Sequence, residues 1–195
     1  MINRRTVIAH GLAIVGAANL APALAQTAGW VTLFDGKSLD GWTKLGDPNI
    51  TLADGIVQAD KGNGHLVWKD QYGDFELRAE IFTSDDANSG IFVRFPEKEK
   101  PNSKTGYEFN VFDKRPDPAY GTGAMVDVAK AISAPKAGGK WNVMEITCKG
   151  QELSYKFNGE TTVDKAKDAK NAKGYISLQF GGGLVRFRKV EIRSL

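Results

Sequence analysis

The sequence predicts an all-β chain, a two-sheet antiparallel sandwich of the jelly-roll kind, on three observations. Apolar residues recur at every second position in stretch after stretch. In "DFELRAEIFT" (74–83), Phe75, Leu77, Ala79 and Ile81 share one face, and Glu76, Arg78 and Glu80 the other. Turn-forming clusters separate these stretches, among them Asp35-Gly36, Asp54-Gly55, Gly62-Asn63-Gly64, Asn158-Gly159 and Gly181 to Gly183. Beyond the N-terminal segment nothing carries a long 3.6-residue period, so many short strands must bury each other's apolar faces.

The first element is not a strand. Residues 1–25 start with Arg4 and Arg5, run through an apolar stretch from Val7 to Val15, and end in Ala23-Leu24-Ala25 before Gln26. That is the pattern of a cleavable export signal, too short and too rich in Gly and Ala for a spanning helix. The paired arginines in "NRRTVIA" resemble a twin-arginine signal, and the expected location is periplasmic or secreted. Removing it leaves 170 of the 195 residues, one domain over 26–195 with a sizeable core. The remaining 24 Lys and Arg stand against 23 Asp and Glu, a balance of +1 that offers no net basic field for nucleic acid.

The alternation then recurs in order, in "GIFVRF" (90–95), "GYEFNVF" (106–112), "NVMEITCKG" (142–150), "ELSYKFNG" (152–159), "YISLQF" (175–180) and "LVRFRKVEI" (184–192). The Lys-rich stretch 164–174, "DKAKDAKNAKG", reads as a solvated loop or one short helix. Cys148 is the single cysteine and lies within an alternating apolar run, so it is expected as a buried, inert thiol with no disulfide. Trp141 in "KWNVM" is expected in the core.

Motifs of other chemistries are missing. The sequence has no Gly-rich phosphate loop, no paired CxxC, no HExxH and no serine in a nucleophile elbow. His10 leaves with the signal, so His65 in "GNGHLVW" is the only imidazole available.

The informative stretch is "TGYEFNVFD" (105–113). Tyr107, Phe109 and Val111 occupy one face, while Glu108 and Asn110 occupy the other and Asp113 closes the run. Read from the residues alone, Glu108 and Arg94 of the preceding strand form an exposed cross-strand ion pair worth about 0.2–1 kcal/mol. A polar row becomes a site only if neighbouring strands add to it. Gln179, Arg186 and Arg188 are candidates from the same alternation.

Six segments together carry a resemblance: "GWVTLFDGKSLDGW" (29–42), "YGDFELRAEI" (72–81), "NSGIFVR" (88–94), "GYEFNVFD" (106–113), "KWNVMEITCKG" (140–150) and "GYISLQFGGGLVRFRKVEI" (174–192). In order and spacing the chain resembles the 3-keto-disaccharide hydrolase family of exported bacterial proteins, related in fold to concanavalin-like lectins and glucanases. It departs from the commoner family pattern at Asn110, where Gln is usual, at Gly181 to Gly183, where a His often follows Leu-Gln, and at Lys189, where Asn is frequent.

The resemblance implies elimination at an oxidised sugar. A ketone at carbon 3 acidifies the hydrogen on carbon 2, so a base can remove it and the group on carbon 1 is expelled; water then adds across the resulting glucal. In the roles so implied, Glu108 is the base, Arg94 or a bound divalent cation stabilises the enolate oxygen, and His65 or Asp113 protonates the departing oxygen. Asn110, Gln179, Arg188 and Tyr107 would hold the sugar, and Glu108, Asp113 and waters would ligate the cation. The implied partner is a 3-keto sugar or glycoside, with neither nucleic acid nor a membrane span. Two other readings stand beside it. One is a non-catalytic sugar-binding module presenting Trp42, Trp68, Tyr107 or Trp141 as stacking platforms. The other is a conventional glycoside hydrolase pairing Glu108 with Asp113, whose odd spacing puts them on opposite faces unless the strand bends.

Overall fold

A computed structural model of the chain describes residues 29–195, and the expected export signal lies outside them. Thirteen strands follow in order: β1 Val31–Phe34, β2 Trp42–Gly46, β3 Thr51–Ala53, β4 Ile56–Ala59, β5 Gly64–Trp68, β6 Phe75–Thr83, β7 Ser89–Phe95, β8 Tyr107–Val111, β9 Trp141–Lys149, β10 Glu152–Phe157, β11 Glu160–Lys167, β12 Tyr175–Phe180 and β13 Val185–Ser194. All paired strands run antiparallel. The larger sheet has the order β11-β10-β9-β6-β13-β4-β3, with β1 also on β13; the smaller is β2-β5-β12-β7-β8. No helix among the described residues is long and apolar enough to cross a membrane.

The period-two pattern works as expected. Phe75, Leu77, Ala79 and Ile81 of the larger sheet meet Ile91, Phe109, Leu178 and Phe180 of the smaller one in a single core. Cys148 is buried in that core as a free thiol, and desolvation pushes its pKa up to about 12. In β13 the alternation breaks at Arg188-Lys189. A register shift there absorbs one residue, so that Val185 and Phe187 before it and Val190 and Ile192 after it all face inward.

Some expectations are corrected. The Lys-rich stretch is strand through Lys167, with a loop beyond it. Lys170 of that loop turns inward and donates from Nζ to the carbonyls of Ser103 (2.9 Å) and Gly106 (3.2 Å). Trp141 lies on the outer face of the larger sheet, beneath the Arg188 guanidinium at 4.3 Å and edge-on to Phe82. Its neighbour Asn142 takes the inward position, donating to the Ala137 and Lys140 carbonyls.

The largest correction is Arg94. Val93 pairs with Ile176, but Phe95 pairs with Tyr175, so Arg94 is a bulge residue with φ +54°. The bulge turns its side chain into the protein, where it is fully buried. Nε donates to the Gly73 carbonyl (2.9 Å), Nη1 to the Gly150 carbonyl (2.7 Å) and Nη2 to Asp74 Oδ1 (2.9 Å). Those partners border β6 and β10, so one guanidinium on the smaller sheet ties down two ends of the larger. Gly174 leaves room for the bulge, because a Cβ there would stand 2.4 Å from the Arg94 carbonyl carbon.

Arg94→Ala should therefore act on stability. Removing the buried guanidinium leaves the Gly73 and Gly150 carbonyls without its donors and a cavity in its place, while Asp74 keeps its bond from Gly150 N, a loss of about 3 kcal/mol, or roughly 6–12 °C in Tm for a chain of this size. Thermal melts by circular dichroism check it, and an unchanged Tm would show that the three contacts are dispensable.

Candidate functional site

The site is built on the outer face of the smaller sheet. Since Leu66, Ile91, Phe109 and Leu178 point to the core, their strand neighbours point away from it. Pairing register aligns these outward residues in rows. One row crosses the sheet as Leu45, His65, Gln179, Gly90 and Asn110; the next as Thr43, Val67, Ser177, Phe92 and Glu108. Glu108, Asn110, Gln179 and His65 thus stand on one face although they come from β8, β12 and β5.

This face is unusually dry for an outer one. Ser177 and Asn110 are fully buried, Phe92 is 4 % exposed and Glu108 7 %. Part of the cover is the segment 123–126, which pairs with the free edge of β8 through Asn110 N to the Ala124 carbonyl (2.9 Å) and Val126 N to the Glu108 carbonyl (3.0 Å). The imidazole of His65 lies with Nδ1 3.2 Å from Ser177 Oγ and packs edge-on against Phe92, ring centroids 5.1 Å apart. Asn110 donates from Nδ2 to the Tyr120 carbonyl (2.7 Å), which fixes the orientation of its amide, and its Oδ1 has no partner.

Comparison with known proteins places the chain in a family. The sequence profile of the 3-keto-alpha-glucoside-1,2-lyase-like domain matches residues 29–193, nearly all of the described chain. The chain belongs to that family. A relative named 3-keto-disaccharide hydrolase, from Bacteroides thetaiotaomicron, is 27% identical over an alignment covering 86% of this chain and 79% of its own. The crystal structure of a candidate glycosyl hydrolase from Parabacteroides distasonis superposes with a TM-score of 0.70 at 25% identity, covering 86% of this chain and 100% of that one. The carbohydrate-binding module CBM66 from Bacillus subtilis shares the fold, with a TM-score of 0.64 at 18% identity over 79% of this chain and 96% of its own.

Within this lyase-like domain the face has a distinct electrostatic character. Burial pushes the Glu108 carboxyl up to about 7; Arg115 opposes the shift and Asp127 adds to it. Burial holds the His65 imidazole down at about 4, so it is neutral at physiological pH. Both shifts have the same cause, loss of hydration of the charged form. Groups that titrate away from their ordinary values on one partly enclosed face mark a site where proton transfer can be tuned.

Several expected residues lie elsewhere. Arg94 is inside the sandwich, as described. Tyr107 faces the core and donates its hydroxyl to Asp168 Oδ1 at 2.9 Å. Arg188 pairs with Glu80, and Arg186 donates to Gln58 Oε1, both on β13 of the larger sheet; neither converges with Glu108. Asp113 is a loop anchor. Its oxygens accept from Thr122 Oγ1 (2.6 Å), Ala137 N (3.0 Å) and Gly138 N (3.0 Å). With its lone pairs so engaged, Asp113 fits neither a proton donor, nor the second carboxylate of a glycosidase, nor a cation ligand beside Glu108. Among the described residues no cluster of three His, Cys, Asp or Glu could hold a metal. As for stacking platforms, Trp42 and Trp68 meet edge-to-face at 5.2 Å against the core.

Ser177, Phe92, Arg115 and Asp127 are neighbours the sequence reading missed. Ser177 shares the phase of Gln179 in "YISLQF" and could have been found there. Arg115 and Asp127 sit on loops, where no periodicity points to a partner.

The raised carboxyl has a stability consequence. The folded state holds the Glu108 proton up to about pH 7 and the unfolded chain only to its ordinary 4.5. The stabilisation is full below 4.5 and is lost as pH rises through 7. Glu108→Gln, which stays neutral, should match the wild type near pH 4.5 and exceed it above pH 7, by about 3 kcal/mol at most. His65, depressed from 6.5 to about 4, works in the opposite sense, losing stability as pH falls between those values. Urea denaturation of wild type and Glu108→Gln from pH 4.5 to 8.5 measures the first slope; parallel curves would show Glu108 to be hydrated.

Proposed function

We propose that the protein is a carbohydrate-active enzyme that cleaves 3-keto-glycosides by elimination across carbons 1 and 2, and that water adds to the resulting glucal for net hydrolysis. Family membership and the named relative support the substrate class. One observation carries the chemistry: Glu108 is an outward carboxyl on a rigid strand, fixed from behind by Tyr107 and Phe109, with its pKa raised to about 7. A general base works best when its pKa lies near the operating pH.

In this reading the Glu108 carboxylate takes the proton from carbon 2, and the electron pair delocalises onto the carbon 3 oxygen as an enolate. The enolate collapses by expelling the oxygen on carbon 1. The proton now on Glu108 passes to that oxygen, directly or through a water. Arg115 replaces Arg94 as the cation for the enolate oxygen, because it is the positive charge felt by Glu108 and forms no ion pair among the described residues. His65, neutral at pH 7, is a hydrogen-bond donor or acceptor to the sugar instead of an imidazolium acid. β5 and β8 are separated by three inter-strand spacings, ~14 Å, about the length of a disaccharide laid across the sheet over Phe92. Export to the periplasm or beyond accords with this reading, with the substrate met outside the cytoplasm.

Glu108→Gln keeps size and hydrogen-bonding reach but removes the proton acceptor. Turnover of a 3-keto-glucoside should fall about 10²–10⁴-fold with little change in binding, and wild-type kcat/KM should rise with pH through about 7 as Glu108 ionises. Product made in deuterated water should carry deuterium at carbon 2. Near wild-type turnover by Glu108→Gln would assign the base to another group. Cleavage of the unoxidised glucoside at a similar rate would point to ordinary glycoside hydrolysis, and binding without turnover to a binding module.

Arg115→Ala should lower kcat by about tenfold to a thousandfold, as for loss of one stabilising donor, without lowering Tm. A loss confined to KM would make Arg115 a substrate-binding group only.

A further inference from the structure

Beside Glu108 the same face holds a feature not used by the elimination step. Gln179 and Asn110 flank Gly90 in one row across the sheet. Asn88, the residue before β7, lies one row further along opposite Gly181, whose N–H donates to the Asn88 carbonyl (2.9 Å) and where a Cβ would stand 2.8 Å from Asn88 Nδ2. Asn88 Oδ1, Gln179 Oε1 and Asn110 Oδ1 are all buried carbonyl oxygens with no hydrogen-bond partner. Asn110 is itself fully buried, and its amide cannot turn over without breaking the bond from Nδ2 to the Tyr120 carbonyl. At the centre stands Gly90. A Cβ there would sit 2.7 Å from the Phe109 carbonyl and 3.5 Å from Gln179 Oε1, so a larger residue would crowd the floor between the amides.

Buried carbonyls without donors cost free energy, of order 1–3 kcal/mol each. Two of them, on Gln179 and Asn110, flank Gly90, and that of Asn88 stands one row along beside Gly181, so that the three form a cradle of hydrogen-bond acceptors. Its natural occupant is a group of closely spaced hydroxyl donors. We propose that this cradle is a specificity subsite, which rests on the reading of Glu108 as the base and deepens it. It accepts from the hydroxyls on carbons 4 and 6 of the ring whose carbon 2 faces Glu108.

The placement follows from register. Glu108 and Asn110 are two residues apart on one strand, ~7 Å, so the cradle lies one pyranose ring from the base. The ring edge remote from carbon 2 is carbon 5, flanked by the hydroxyl on carbon 4 and the hydroxymethyl of carbon 6. Uncharged amides there reward neutral donors, and an anion would be desolvated with none of them to neutralise it, so the subsite selects neutral hexosides over uronic acids and 6-phosphates.

The test uses binding, measured by calorimetry in the Glu108→Gln protein so that turnover does not consume the ligand. The probes are methyl 3-keto-glucoside and its 4-deoxy, 6-deoxy and 6-carboxylate analogues. The parent should bind about tenfold more tightly than each deoxy analogue, as expected for an acceptor left without its donor, and the 6-carboxylate more weakly still. Adding Gln179→Leu, which removes the acceptor but keeps bulk, should weaken the parent about tenfold and leave the 6-deoxy analogue within twofold. Asn88→Ala supplies a second variant, and neither residue shares the Asn110 bond that holds Tyr120. Equal binding of parent and deoxy sugars, or no binding of any, would overturn the subsite. So would sodium or calcium raising the Tm of wild type but not of Gln179→Leu, which would make the cradle a cation site. The Glu108 reading fails separately, if Glu108→Gln retains turnover while the hydroxyl preference persists.

Discussion

The buried Arg94 guanidinium is the contact on which the geometry of the smaller sheet depends. It is the extra residue of a bulge in β7, and its three hydrogen bonds reach Gly73, Asp74 and Gly150, which border strands of the opposite sheet. A fully buried arginine is tolerable only because Nε, Nη1 and Nη2 of its planar fork each find an oxygen. The bulge has a second effect. It reverses the phase of β7, so that Phe95 packs outward with Phe92 and Val67, a small apolar cluster on the same face as Glu108. One backbone irregularity thereby ties the sheets together and helps dry the outer face.

That dryness gives the face its chemistry. On an ordinary solvated sheet Glu108 would titrate like any surface carboxylate and His65 would charge near pH 6.5. Here Phe92 lies between them, the segment 123–126 closes the edge of β8, and both side chains lose hydration. The result is a carboxyl that gains and loses a proton near neutrality and an imidazole that stays neutral. The larger sheet shows the contrast. Its outer face carries Arg78–Glu145, Arg188–Glu80 and Arg193–Glu76 pairs, which satisfy one another in solvent. Charge there is compensated and interchangeable, whereas on the smaller sheet Glu108 has no ion-pair partner among the described residues and the amide oxygens of Asn110 and Gln179 are left open.

The chain belongs to the 3-keto-alpha-glucoside-1,2-lyase-like family, and on the proposed reading its site is one of proton transfer. Asp113, the only other acid at the end of the Glu108 strand, is held by Thr122, Ala137 and Gly138 and shapes the loop instead. In that reading, a carboxyl of raised pKa with Arg115 near it is suited to abstraction of a carbon-bound proton, while Asp127 acts on it through its charge.

By itself the sequence determined the sandwich, most of its strands and the inward or outward assignment of side chains, because a period of two is a local property that each strand carries in its own residues. It placed Cys148 in the core and put Glu108, Asn110 and Gln179 at outward positions for the same reason. Tertiary structure alone decided which outward faces are shared. Arg188 and Gln179 alternate alike in sequence, yet β13 and β12 belong to different sheets, and strand order across a sandwich is set by long-range pairing that no local pattern records. It also decided Arg94, whose bulge answers to partners 20 and 56 residues away, and it brought Arg115 and Asp127 from loops toward Glu108. Alternation tells which way a side chain leaves its strand; only the folded chain determines what it meets.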